Sequence, residues 1–314
     1  MMEKDAKIYV AGHRGLVGSA IVRKLKEEGY TNIVTRTHSE LDLTDQRATR
    51  EFFEKERPDY VFLAAAKVGG ILANSIYRAD FEYVNLMIEC NVIKASYDYG
   101  VKKLLFIGTA AVYPECCPQP IKEEYLLTGP LDSTKEAYAI AKIAGTKMCQ
   151  YFDEQYGANF VSVVPNNLYG PNDNFDLNTS HVIPALLRKF HIAKVQDLKS
   201  VEVWSTGKQR REFLHVDDLA DAMVYLMNNY NDNYHINIGT GKDITIKELA
   251  ELIKEIVGYR GEIRFDATKP DGTPRRLLDV SKLHATGWKH KIELREGIQS
   301  TYEWFKSNEK EVIK

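Results

Sequence analysis

A tyrosine and a lysine stand four residues apart in Tyr138-Ala139-Ile140-Ala141-Lys142. On a helix, positions i and i+4 share a face, so a phenol and an ammonium would lie side by side. The positive charge stabilises phenolate and is expected to lower the tyrosine pKa toward working pH. Tyr138 would then hand a proton to the oxygen of a carbonyl that receives hydride. Thr109, in Gly108-Thr109 after an apolar run, supplies a hydroxyl to orient that carbonyl. A hydride donor is suggested near the N-terminus, where Gly12-His13-Arg14-Gly15-Leu16-Val17-Gly18 is the GxxGxxG form of the dinucleotide fingerprint. Its glycines permit a tight turn and bring backbone N–H groups up to a pyrophosphate at a helix N-terminus. Arg36 follows the next apolar run, Ile33-Val34. An acidic residue there binds a free ribose 2′-hydroxyl, whereas arginine accommodates a 2′-phosphate. Arg36 with Arg14 therefore predicts NADP rather than NAD. Each motif alone has a plain reading, a surface turn or a half-buried helix residue; their order along one chain gives them weight.

These groups need elements to hold them, and the first half of the chain supplies an alternation. Apolar runs at 8–11, 32–35, 60–64, 103–107 and 160–164 read as strands. Amphipathic stretches at 16–28, 45–56, 80–99 and 135–156 read as helices between them. Strand and helix in strict alternation predict an α/β fold, a Rossmann-type doubly wound parallel sheet with helices on both faces. Past Pro165 the pattern loosens. A polar loop at 172–179 precedes helices at 183–194, 216–230, 245–257 and 294–306, with short strands at 201–204, 235–238 and 263–265. No repeat or low-complexity linker separates the halves. The expectation is an NADP-binding domain over 1–170 with return segments near 212–238, interleaved with a smaller α+β domain over 171–314 for a nucleotide sugar.

Composition narrows the classes. The 314 residues are 44% hydrophobic and 27% charged, enough apolar content for a large core. A net charge of −2 offers no global field for nucleic acid or an anionic membrane. No apolar run approaches the ~18 residues of a membrane span. No signal-peptide pattern opens the chain. Cys90, Cys116, Cys117 and Cys149 have neither disulfide-framework nor metal-ligand spacing. Free thiols in the cytoplasm and no metal site are expected.

Together with Pro165-Asn166-Asn167-Leu168-Tyr169-Gly170-Pro171, these motifs resemble the extended short-chain dehydrogenase/reductase family. More narrowly, several blocks are similar to the GDP-L-fucose synthases: Ala11–Gly15, Leu63-Ala64-Ala65-Ala66-Lys67-Val68-Gly69-Gly70-Ile71, Tyr138–Gly145, Ser180–Arg188, Arg211–Asp218 and Lys269–Arg275. The likeness runs nearly end to end. It implies NADPH-dependent reduction at C-4 of a GDP-4-keto-6-deoxyhexose after epimerisation at C-3 and C-5. It also implies a cytosolic homodimer pairing through the helices at 80–99 and 135–156. On matched positions the cofactor would be held by Gly12, Arg14, Gly15, Leu16, Val17, Gly18, Arg36, Asp42, Ala64, Ala65, Ala66, Lys142, Pro165, Leu168 and His181. The GDP-sugar would meet Asn167, Lys189, Trp204, Arg211 and Arg275. Lys189 stands where the family often has arginine, keeping the charge without the bidentate fork.

One departure bears on the chemistry. The family's epimerisation uses a cysteine and a histidine. The histidine matches His181. The cysteine belongs in a Gly-Ser-Ser-Cys-Ile-Tyr-Pro segment, which here reads Gly108-Thr109-Ala110-Ala111-Val112-Tyr113-Pro114. Thr109 keeps the hydroxyl; Ala111 carries no proton. Cys116 and Cys117 would serve only if their loop folds back, and His181 would remain as a substrate partner or a vestige. The leading reading is thus a C-4 ketoreductase without 3,5-epimerase activity, fed by a separate upstream epimerase. Reductase-only relatives in capsule GDP-heptose pathways make a GDP-4-keto-heptose a second candidate substrate. The alternatives are an intact bifunctional synthase and a non-catalytic NADP-binding regulator.

Overall fold

The computed structural model describes residues 1–177, 179–268 and 272–312. The first part of the chain forms β1 (Ile8–Ala11), α1 (Leu16–Glu27), β2 (Ile33–Val34), α2 (Gln46–Glu56), β3 (Tyr60–Leu63), α3 (Ile71–Ile76), α4 (Arg78–Asp98), β4 (Lys103–Ile107), α5 (Glu136–Tyr156) and β5 (Phe160–Pro165). There follow β6 (Asn167–Tyr169), α6 (Val182–Val195), β7 (Ser200–Trp204), β8 (Arg210–His215), α7 (Val216–Asn229), β9 (Ile236–Ile238) and β10 (Asp243–Thr245). The chain closes with α8 (Ile246–Val257), β11 (Glu262–Asp266), β12 (Arg275–Arg276), α9 (Ser281–Ala285), α10 (Leu294–Ser307) and α11 (Glu309–Val312).

Six strands make one parallel sheet in the order β2-β1-β3-β4-β5-β9. Every residue of β1, β3, β4, β5 and β9 is buried. A parallel sheet covered on both faces selects continuous apolar runs rather than alternation. α1 and α7 pack on one face, sharing a core with Val10, Phe62 and Val163. α2, α4 and α5 cover the other, around Tyr9, Val61 and Phe106. The expected Rossmann-type fold is therefore the fold observed. Strand order reverses between β1 and β3, and ligands of open α/β sheets bind outside the carboxyl ends at such a switch.

The smaller lobe has its own core, in which Leu187 and Phe190 of α6, Leu249 and Ile253 of α8 and Phe305 of α10 meet. α8 starts with a capping box: Thr245 accepts from the Glu248 N–H while Glu248 accepts from the Thr245 N–H. A second sheet, β10-β8-β12 with β6 beside β8, lies between the lobes in the chain path. Its strands read as loop or polar sequence, because each is only two to six residues long and finds its partners far along the chain. Glu212 fastens it. This fully buried carboxylate accepts from Asn166 Nδ2 at 2.8 Å, the Leu278 N–H at 2.9 Å and the Gly241 N–H at 2.7 Å. Residues 212–215 belong to this small sheet; the return to the large sheet begins with α7 and reaches it at β9. Of the 269–275 block, Lys269, Pro270 and Asp271 lie outside the described residues.

Candidate active site

The glycine turn joins β1 to α1 at the switch point. Gly12 has φ +82°, and a Cβ there would come within 2.7 Å of the Ala65 nitrogen. A Cβ on Gly18 would stand 2.2 Å from the Gly12 oxygen. Only glycine allows these two approaches, which set the α1 N-terminus beside Ala64–Ala66 with backbone N–H groups facing outward. Asn85 of α4 holds the same segment, donating to the Lys67 oxygen at 3.0 Å and accepting from its N–H at 2.9 Å. The cradle fits a pyrophosphate. Arg36 is braced by Glu56 at 2.6 Å and lies 5.5 Å from the Phe52 ring. Arg36 and Arg14 both act on the Glu40 carboxylate and help hold its pKa below the usual range, after its hydrogen bonds to Thr37. The two arginines thus face one region. Asp42 is engaged in its own turn, accepting from the Thr44 N–H at 2.9 Å and hydroxyl at 2.7 Å. Pro165 closes β5, and Leu168 pairs with Leu214 in the small sheet.

Tyr138 and Lys142 lie on α5, with the Lys142 Nζ 6.0 Å from the phenol ring centre. Lys142 is almost fully buried. It donates to the Ile107 oxygen at 3.0 Å and meets Glu89 of α4 at 3.0 Å. Burial, with that partner adding to it, corrects one expectation. The Tyr138 pKa is raised, not lowered: burial dominates, Lys142 pulls it down, and Glu89 opposes Lys142. The ammonium spends much of its field on a carboxylate that spacing along α5 could not reveal. A signal did exist, since Glu89 is a lone acid in the apolar run Met87-Ile88-Glu89-Cys90.

Thr109 follows β4 and opens a single helical turn, Ala110–Val112, its Oγ1 accepting from the Ala111 N–H at 3.3 Å. Tyr113 pins the turn by donating to Asn237 Oδ1 at 2.6 Å. Arg276, buried on β12, donates to the Ala110 oxygen at 2.8 Å. His181 is the N-cap of α6 and is exposed. Crowding by surrounding chain, then the nearby Lys135 ammonium, hold its pKa below the ordinary value. Lys135, unremarked in the sequence, is the N-cap of α5. Burial, Arg276 and Arg211 lower it to about 8, against the opposing pull of Asp132. The fold therefore brings Arg211 and Arg276 to Lys135, and Lys135 to His181. Cys116 is exposed; the half-buried Cys117 thiol is pushed up by burial.

The remaining expected substrate residues fall into groups. Asn167 donates to the Glu212 oxygen at 2.9 Å, within the small sheet. Lys189 and Trp204 come together from α6 and β7, the Nζ 5.1 Å from the indole and 3.1 Å from the Glu202 oxygen. Arg275 pairs with Asp243, which Arg210 also holds at 2.9 Å. A groove of about 900 Å³ between α8 and β11, lined by Lys247, Lys254 and Phe265 among others, contains none of these candidates. Among the described residues no cluster of three or more His, Cys, Asp or Glu suits a metal, and no helix is long and apolar enough to cross a membrane.

The model of the NAD dependent epimerase/dehydratase family matches residues 8–239. The chain belongs to that family. It is 59% identical over 308 residues to a GDP-L-fucose synthase of Arabidopsis thaliana, covering 98% of this chain and 95% of that one. Among solved structures it is similar to the GDP-6-OMe-4-keto-L-xylo-heptose reductase of Campylobacter jejuni, with 47% identity, a TM-score of 0.94 and coverage of 98% and 99%. It is also similar to a GDP-mannoheptose C4 reductase of Campylobacter jejuni with NADP bound, at 48% identity, a TM-score of 0.90 and coverage of 98% and 100%.

Proposed function

We propose that this chain is an NADPH-dependent C-4 ketoreductase of a GDP-linked 4-keto sugar that lacks 3,5-epimerase activity. The observation that carries the reading is the content of the 109–111 turn. The chain carries the Thr109 hydroxyl and the Tyr138/Lys142 pair that ketone reduction would use, while a methyl occupies the position where the resemblance to the GDP-L-fucose synthases implies a thiol. Relatives that act on GDP sugars, both fucose synthases and heptose C-4 reductases, support the substrate class. The candidate sugars are a GDP-4-keto-heptose and a GDP-4-keto-6-deoxyhexose. Gly12–Gly18, Arg14, Arg36 and Ala64–Ala66 would hold NADPH, which supplies the hydride. Thr109 would orient the ketone, Tyr138 protonate its oxygen, and His181 face the sugar. Lys189, Arg211, Arg275 and Trp204 would meet the GDP portion. The cofactor lobe is residues 1–170 with the returning α7–β9 segment, and the rest mainly binds the nucleotide sugar. An NADPH-linked enzyme with four unpaired cysteines suits the cytoplasm. The test is NADPH consumption and product stereochemistry with a panel of GDP-4-keto-hexoses and heptoses, each with and without an added 3,5-epimerase. No turnover with any of them would reject the reading.

Two expected results accompany it. A charge-assisted phosphate contact contributes about 1.5–3 kcal/mol. Arg36→Ala should therefore reduce kcat/KM with NADPH roughly ten- to a hundredfold and leave NADH nearly unchanged. Equal losses with both cofactors would move the phosphate contact elsewhere. The second concerns assembly. α4 and α5 pack together and expose Tyr83, Tyr97, Ile140, Tyr151 and Tyr156, a patch suited to a copy of itself. Light scattering should give twice the 35.8 kDa of one chain, and Ile140→Asp with Tyr151→Asp should give the monomer. A monomeric parent would exclude this interface.

A further inference from the structure

We propose that Glu89 is a positioning residue of the reduction: its carboxylate fixes the Lys142 ammonium beside Tyr138 and tempers that ammonium's pull on the phenol. The inference rests on the assignment of Tyr138 as the acid of ketone reduction and adds what governs its protonation.

The geometry is that of a built pair. Lys142 Nζ and Glu89 Oε1 are 3.0 Å apart, with side chains 3% and 1% exposed. The ammonium is also tied to the Ile107 oxygen at 3.0 Å and lies 4.6 Å from the Phe106 ring centre. It is thus held between α4, the end of β4 and its own helix. Room for the carboxylate is made by Gly145, one turn beyond Lys142 on α5. A Cβ at Gly145 would stand 2.5 Å from Glu89 Oε2 and 2.6 Å from the Phe106 ring. Burying a carboxylate is expensive unless it is paired, so the site keeps Glu89 for what it does to its neighbours.

Its effect follows from charge. An unopposed ammonium at Lys142 would favour phenolate at Tyr138, which suits an enzyme that removes a proton from an alcohol. A carboxylate on Lys142 opposes that field. The titratable groups around the pair are Tyr138, Lys142 and Cys149 on α5 and Glu89 and Cys90 on α4; Phe81 and Phe106 add no charge. Glu89 raises Tyr138 and Lys142 alike, while burial is the largest influence on Tyr138. In the reducing direction the Tyr138 O–H bond breaks and an O–H bond forms on the sugar oxygen. C-4 receives hydride as NADPH is oxidised to NADP⁺, and the phenolate recovers a proton from solvent. That sequence needs a protonated Tyr138 at the start of each turnover, a state that burial favours most and Glu89 reinforces by opposing Lys142.

The experiment titrates Tyr138 directly in the full chain labelled with ¹³Cζ-tyrosine, its signal assigned by its loss in Tyr138→Phe. In Glu89→Gln the Tyr138 signal should titrate about one pH unit or more lower than in the parent. The high-pH limb of kcat for reduction should move down by the same amount. Glu89→Asp, which keeps the charge but withdraws it, should shift both less in the same direction and serves if the glutamine variant fails to fold. An unchanged Tyr138 titration in a folded variant would overturn the proposal. The NMR titration needs no substrate. A shifted signal in a protein without ketoreductase activity would therefore uphold the role of Glu89 on Tyr138 while rejecting the proposed function.

Discussion

Tyr138→Phe should leave the fold and NADPH binding intact and lower turnover about 10²- to 10⁴-fold, the usual cost of losing a general acid. The ring packs edge-on against Phe81, with centroids 6.3 Å apart, and phenylalanine keeps that contact. What disappears is the phenol oxygen alone. Lys142 cannot replace it, because its ammonium is committed to Glu89 and the Ile107 oxygen. Thr109 is a weak acid whose oxygen accepts from the Ala111 N–H. The measurement is the fall in NADPH absorbance with a GDP-4-keto sugar, together with cofactor affinity by fluorescence. A variant that keeps most of its turnover at neutral pH would show that another group, or water, supplies the proton.

Reduction without enzyme-driven exchange at C-3 and C-5 is the second large expectation. Epimerisation passes through an enolate beside the ketone, and each face needs a base within about 3.2 Å. Ala111 supplies a methyl on a turn fixed by Tyr113 and Arg276, so no thiol stands where the resemblance to the GDP-L-fucose synthases implies one. His181 serves one face at most. In D₂O with NADPH and a substrate of the correct configuration, the product should carry no more deuterium at C-3 or C-5 than a no-enzyme control. An unepimerised substrate should be reduced slowly or give the uninverted sugar. Ala111→Cys should restore part of the exchange. Efficient incorporation at both carbons by the parent protein would place a second base in the cleft. Lys135, held at about 8 near His181, would then be the first residue to replace, ahead of Cys116 and Cys117.

Local sequence was sufficient wherever the signal is itself local. The turn at Gly12–Gly18 is dictated by backbone approaches that no Cβ survives, and the phenol–ammonium pair by the pitch of one helix. The buried strands β1, β3, β4 and β5 announce themselves as continuous apolar runs because both faces of a parallel sheet are covered. Pairing across the chain was another matter. The strands β6, β10 and β12 are two or three residues long, too short for a period to show; β8 pairs with each of them, and the buried Glu212 holds residues that flank them. Lys103 reads as an ordinary charged residue. In the fold it is buried, donating to the carbonyl oxygens of Leu226 and Met227 at 2.9 Å and closing the end of α7. At the site, spacing placed Tyr138 beside Lys142, but only the packing of α4 on α5 brought Glu89 to the same ammonium and buried the phenol, and burial, with Glu89 adding to it, reversed the expected direction of the tyrosine's pKa. The loss of the thiol at Ala111 was plain in the sequence. That Lys135 stands near His181, with Arg211 and Arg276 close by, was decided by the meeting of α5, α6, β8 and β12, since electrostatic fields act through space and not along the chain.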